Sequence, residues 1–129
     1  MNIFVGDIEK LTEMNDNFRE VIFTGKHSQL VVMRLRGGEE IGLEVHEDVD
    51  QFFRIEEGEA EFKLGNLERH HVSPGGAVLV PAGTYHNVIN RSDTEDLKLY
   101  TIYSPPNHPE GTVHATKAEA DAAEAEEHS

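Results

Sequence analysis

The sequence predicts an all-β domain, a sandwich or barrel of short strands, on three observations. Strand-like runs recur at short intervals between Phe18 and Tyr103. Turn signals rich in Gly and Pro separate them. No helical periodicity interrupts the stretch, and short, evenly spaced strands mark paired or closed sheets. A chain of 129 residues has material for one such core and too little for two.

The elements follow in order. Residues 1–19 read as an adapter, with a short strand at Ile3–Val5 and a helix from Asp7 to about Met14. Asp7 is a natural N-cap, Ile8 and Leu11 are at helical spacing, and Asn15-Asp-Asn17 ends the helix. Residues 20–103 form the β domain, with runs at Val21–Phe23, Gln29–Leu35, Gln51–Ile55, Ala60–Leu64, Ala77–Val80, His86–Ile89 and Leu97–Tyr103. Gly37-Gly38, Glu57-Gly58, Gly65-Asn66, Pro74-Gly-Gly76 and Pro81-Ala-Gly83 punctuate them. Residues 104–129 form a proline-rich segment and an acidic tail. Ser104-Pro-Pro-Asn-His-Pro109 has too few amide donors for a strand and should run extended over the surface. Thr116 and Glu119 resemble a capping box before an Ala/Glu-rich helix over 117–127, which buries little and should fray.

Composition narrows the function. The net charge is −14, and so acidic a surface repels phosphate backbones; nucleic acid is not an expected partner. Five acids and no base lie between Glu119 and Glu127, so the tail accounts for part of the excess; adaptation to high salt would account for more. No apolar run approaches the ~20 residues of a membrane span, and no secretory leader is expected. A cytoplasmic location is the default. Without cysteine, any metal must be held by nitrogen and oxygen.

Such donors are grouped in one stretch. Glu44 and His46 are two apart, and on a strand they would face one cavity. A hairpin from 46 to 51 would bring Gln51 beside them. His86, opening a β run after the Pro81-Ala-Gly83 turn, is the candidate fourth ligand.

These residues resemble the cupin superfamily. Its first motif, G-x5-H-x-H-x4-E-x6-G, matches the spacing of Gly38, Glu44, His46, Gln51 and Gly58, with Glu44 for the first His and Gln51 for the Glu. Its second, G-x5-P-x-G-x2-H-x3-N, is complete in Gly75, Pro81, Gly83, His86 and Asn90. The resemblance implies a double-stranded β-helix, or jelly-roll barrel, with one divalent metal on Glu44, His46, Gln51 and His86. Both substitutions keep oxygen donors, and the mixed set suits Zn, Mn, Fe, Co or Ni. Cupins are often dimers, and an outward Phe52 hints at such an interface while Phe53 fills the core.

Phe18-Arg-Glu-Val, Thr24-Gly-Lys-His-Ser-Gln29, Asp50–Glu56 and Tyr100–His108 further resemble small microbial cupins labelled mannose-6-phosphate isomerase-like. That likeness implies an isomerase or epimerase acting on a sugar or sugar acid through a metal-stabilised enediolate. Candidate acids and bases are Glu56, His27 and Tyr100; Arg54 or Arg19 would hold an anionic group. Strand alternation tells against part of this set. If Gln51 faces the cavity, Arg54 and Glu56 face outward as an ion pair, and only one of Tyr100 and Tyr103 points inward. Gln29 would line the cavity, His108 and His114 would flank its mouth, and His70-His71 would lie on a surface hairpin. An iron-dependent dioxygenase and a non-catalytic small-molecule-binding cupin are the competing readings.

Overall fold

The computed structural model describes residues 2–127. Two antiparallel sheets enclose one core, and a short helix lies at either end of the chain. The first helix, α1 (Ile8–Met14), is capped by Asp7, whose Oδ1 accepts from the Lys10 amide at 3.0 Å. The strands are β1 (Arg19–Thr24), β2 (Gln29–Leu35), β3 (Asp50–Glu57), β4 (Ala60–Leu64), β5 (Glu68–Val72), β6 (Ala77–Val80), β7 (His86–Asn90), β8 (Leu97–Ser104) and β9 (Val113–His114). Helix α2 (Lys117–Glu127) follows. Its capping box is formed: the Glu119 amide donates to Thr116 Oγ1, and the Thr116 amide donates to Glu119 Oε2, both at 3.2 Å. No helix among the described residues is long and apolar enough to cross a membrane.

The larger sheet runs β6-β3-β8-β2-β1-β9 and the smaller β5-β4-β7. Alternation sends Phe53 and Ile55 of β3, Val31, Met33 and Leu35 of β2, and Leu97 and Leu99 of β8 into the space between the sheets. Ala60, Phe62 and Val88 meet them from the smaller sheet. The Phe53 and Phe62 rings touch edge to face at 5.1 Å. Each large side chain so buried stabilises the fold by about 1.5–3 kcal/mol. Helix α1 packs across β8, β3 and β2 on the outer side of the larger sheet, which explains why Val32 is buried too. Lys98 pins the helix end by donating from Nζ to the Glu13 carbonyl.

Four expectations change. The helices make the fold mixed rather than all-β, and Ile3–Val5 forms no strand. The sheets remain two ladders and do not close into one hydrogen-bonded barrel. The segment that would extend the smaller sheet, residues 39–44, meets β7 at two isolated bridges, Glu40 with Ile89 and Glu44 with His86. Between them the Gly42 amide is taken by the Asn87 side chain at 2.8 Å, so the ladder is interrupted there. The hairpin from 46 to 51 is also absent, because β3 pairs with β6 and β8 instead. Two strands were absent from the expected runs: β5, the exposed arm of the β4–β5 hairpin on which His70-His71 lie as expected, and the two-residue β9.

Candidate metal centre

Backbone hydrogen bonds bring the two motifs together. Glu44 and His86 exchange both amide bonds at 2.9 Å, and the Gly83 amide donates to the His46 carbonyl at 2.8 Å. The Pro81-Ala-Gly83 turn is held in turn by Asp50, whose Oδ1 accepts from the Ala82 amide. Carboxylate and imidazole donor atoms of Glu44, His46 and His86 consequently lie within 4.8 Å of one another. Gln51 comes from β3 by a different route. It faces Tyr103 across the β3–β8 ladder, its Nε2 donates to Thr101 Oγ1 at 3.0 Å, and its Oε1 is 3.2 Å from His86 Nε2.

The donor set fits a metal. An ion held at about 2.0–2.2 Å from each donor requires donor separations of roughly 3–4 Å, which small side-chain adjustments reach from here. His86 Nδ1 donates to the Thr84 carbonyl at 3.0 Å, which fixes the tautomer and leaves Nε2 as a lone-pair donor beside Gln51. His46 Nε2 is buried and lacks any aligned hydrogen-bond partner, although Glu44 Oε2 is only 2.9 Å away. A second group, Glu9, Glu13 and Glu56, brings three acids together on the outer surface with no imidazole, and Glu56 is already paired with Arg54.

Electrostatics keep the cluster ready to ligate. Burial pushes the Glu44 carboxyl up, but the contact with His46 and the positive field of His46, Arg19 and His86 outweigh it and hold Glu44 below the ordinary carboxylate range. Burial likewise lowers His86, against opposing pulls from the Thr84 carbonyl and Glu44, and so favours its neutral, ligating form. Beside them, burial raises the Tyr103 phenol well above its usual value. Burial, helped by the charge of Arg19, depresses His108 to about 4. These last two rings meet edge to face at 5.1 Å, with Oη 3.2 Å from Nε2.

A cavity of about 420 Å³ opens onto Glu44 and His46. Arg19, His108 and His114 form part of its wall, and Ala120, Ala123 and Glu124 of α2 cover it. The C-terminal helix is therefore part of the site, which its composition did not suggest; Ala120, 4% exposed, is small enough to sit against it. Gln29 does not line the cavity. Its side chain fastens the cover instead, accepting from the Asn107 and His108 amides and donating to the His108 carbonyl.

The expected acid–base residues lie elsewhere. Glu56 is on the outer face of β3 against Arg54, His27 is exposed in the β1–β2 turn, and Tyr100 packs outward on Phe52 with ring centroids 6.2 Å apart. In each case the geometry has a plain cause. Residues 54, 56 and 100 have the wrong parity on their strands, and residue 27 is on no strand. Tyr103 has the inward parity and occupies the place that Tyr100 was expected to fill.

Comparison with known proteins agrees with this architecture. Residues 31–103 match the family model described as Cupin domain. The chain is 53% identical over 126 residues to YrkC of Bacillus subtilis, covering 94% of this chain and 67% of that protein. It is 43% identical over 113 residues to a protein of Acanthamoeba polyphaga mimivirus, covering 86% and 71%. The crystal structure of BH2720 from Bacillus halodurans superimposes with a TM-score of 0.91 at 48% identity, over 94% of this chain and 95% of that one.

Proposed function

The chain belongs to the Cupin domain family, and from that premise we propose a metal-dependent enzyme acting on a small, oxygen-rich molecule. Glu44, His46, Gln51 and His86 hold one divalent cation. The observation that carries this is the convergence of Glu44, His46 and His86 donor atoms within 4.8 Å of one another, with Gln51 Oε1 3.2 Å from His86 Nε2. A bound divalent ion supplies polarisation of a substrate carbonyl or hydroxyl oxygen.

The protein's own groups define the rest. Thr84 and Thr101 orient His86 and Gln51, so two donors keep their direction before an ion arrives. His108, neutral through burial, is a proton acceptor on the cavity wall, and Tyr103 retains its proton beside it. Helix α2 and the Asn107–His108 segment wall one side of the cavity. A proton acceptor beside a polarised carbonyl suits removal of a proton from the neighbouring carbon. The reading is therefore a sugar or sugar-acid isomerase or epimerase, as in the mannose-6-phosphate isomerase-like subgroup, with His108 in the role that sequence alone assigns to Glu56, His27 or Tyr100.

Metal analysis of the purified protein beside Glu44→Ala tests the site. About one equivalent of Zn, Mn, Fe, Co or Ni is expected in the wild type, and at least a tenfold weaker affinity in the variant. Equal metal content, or none in either, removes the site. Incubation of the loaded protein with sugars in D2O tests the chemistry: deuterium should enter at a carbon next to the carbonyl. Oxygen consumption by the iron-loaded protein without such exchange would replace the isomerase with a dioxygenase.

A further inference from the structure

Arg19 is a buried cation that nothing in the described protein neutralises by contact. It opens β1, paired in register with Met33 and His114, and is only 8% exposed. Among the described residues no carboxylate forms an ion pair with it, and its Nε is buried without a hydrogen-bond partner. Its close companion is the face of Phe18, with Cζ 5.4 Å from the ring centroid. A guanidinium cannot shed its proton to escape burial, so an unpaired one is a standing cost to the fold.

The other arginines are different. Arg34 also has a buried, unbonded Nε, but its head group lies 3.6 Å from Asp96. Arg54 is paired with Glu56, and Arg69 with Glu61. Arg36 and Arg91 are exposed to water. Among the described arginines, Arg19 alone combines burial, the lack of a contacting carboxylate and a place on the wall of the 420 Å³ cavity that also opens onto Glu44 and His46.

We infer that Arg19 is the anion subsite of this cavity and that the substrate is a small organic acid, its carboxylate on Arg19 and its other oxygens at the metal cluster. This rests on the metal-dependent reading above for the second anchor only. The planar fork of a guanidinium matches a carboxylate through two parallel N–H···O bonds. Phosphate fits less well: no lysine lines the cavity, and Glu44 and Glu124 add negative charge around it. Arg54, the alternative anion holder from sequence, is on the opposite face of its sheet and already paired.

The test titrates glycolate, inorganic phosphate and glycerol into the metal-loaded and the chelated protein, following the Arg Nε–H resonances by NMR and the heat of binding. Glycolate is expected to shift one buried Arg Nε–H signal in both forms, and to bind more tightly when metal is present. Arg19→Met should weaken glycolate at least tenfold, and Arg19→Lys, which keeps charge but loses the fork, should also weaken it. If Arg19→Met does not fold, the wild type and Arg19→Lys suffice, with glycolate raising the melting temperature of the former more. Unchanged glycolate affinity in the variants overturns the subsite, and tighter phosphate than glycolate binding overturns the carboxylate assignment. Failure of the metal reading has a separate signature: no metal in the protein, with Arg19-dependent glycolate binding intact.

Discussion

Replacing His108 with Gln should make the protein less sensitive to acid. In the folded chain burial holds His108 near pH 4, whereas an unfolded histidine titrates near 6.5. Between these values the unfolded chain binds the extra proton, so stability falls as pH drops from about 6.5 and levels off below about 4. The full interval is worth about 3 kcal/mol. The ring is half-buried, and solvent screening reduces this to about 2 kcal/mol. Arg19, His46 and His114 oppose a charge on the ring and Glu44 favours one, so the net sign is set by burial and the cations together. The amide of the replacement would keep a hydrogen-bonding group for Tyr103 without titrating. Urea unfolding of the chelated protein at pH 7 and pH 4.5 measures the difference. Acid also destabilises through His86 and Glu44, whose pKa values are lowered by folding, but these are common to both proteins. The wild type should therefore lose about 2 kcal/mol more than His108→Gln over this interval. Parallel losses, within about 0.5 kcal/mol, would show that His108 is not held neutral by its surroundings and would remove it as the cavity's proton acceptor.

Two further outcomes concern the motif residues that build the site without touching it. Asn90, 4% exposed, donates to the carbonyls of Leu35, Arg36 and Glu95, and its Oδ1 accepts from the Ser92 amide. Asn90→Ala strands these groups and should cost about 3–4 kcal/mol in urea unfolding, with Asn90→Asp no better because it replaces donors by a charge. Gly58→Ala and Gly38→Ala should differ, although both have positive φ, at 87° and 80°. A Cβ on Gly58 would fall 2.5 Å from the Asp96 carbonyl oxygen, whereas one on Gly38 meets nothing. Thermal unfolding should show about 1 kcal/mol lost at position 38 and about 2–4 kcal/mol at position 58.

What the sequence disclosed follows the range of the interactions involved. Asp7, the Thr116–Glu119 box and the alternating runs of β2, β3 and β8 are local signals, and the structure places helices and strands on them. The meeting of Glu44, His46, Gln51 and His86 was legible because motif spacing encodes where two distant turns come together. How they meet was not legible. The 46–51 hairpin is the nearest pairing in sequence, but β3 gains more burial between β6 and β8, a choice made by long-range packing. Glu56 and Tyr100 were drawn from the right strands on the wrong parity. Arg19 was one of two candidate anion holders and His108 a candidate at the cavity mouth; their burial, which β9, the Gln29 clamp and α2 bring about, was not legible.

The interrupted ladder at Gly42 has a consequence for how the protein is held together. His86 and Gln51 belong to continuous strands, whereas Glu44 and His46 ride on a segment outside the ladders, tied to β7 and the Pro81-Ala-Gly83 turn by single backbone hydrogen bonds from Glu39 to His46. An ion joining all four would act as a clasp between the strands and the segment laid beside them. Slow amide exchange across residues 39–47 would then report occupancy of the site. Heat resistance would likewise scale with free metal concentration, since whatever binds only the folded chain stabilises it by mass action. An ion bound there would also be the last stitch of the fold.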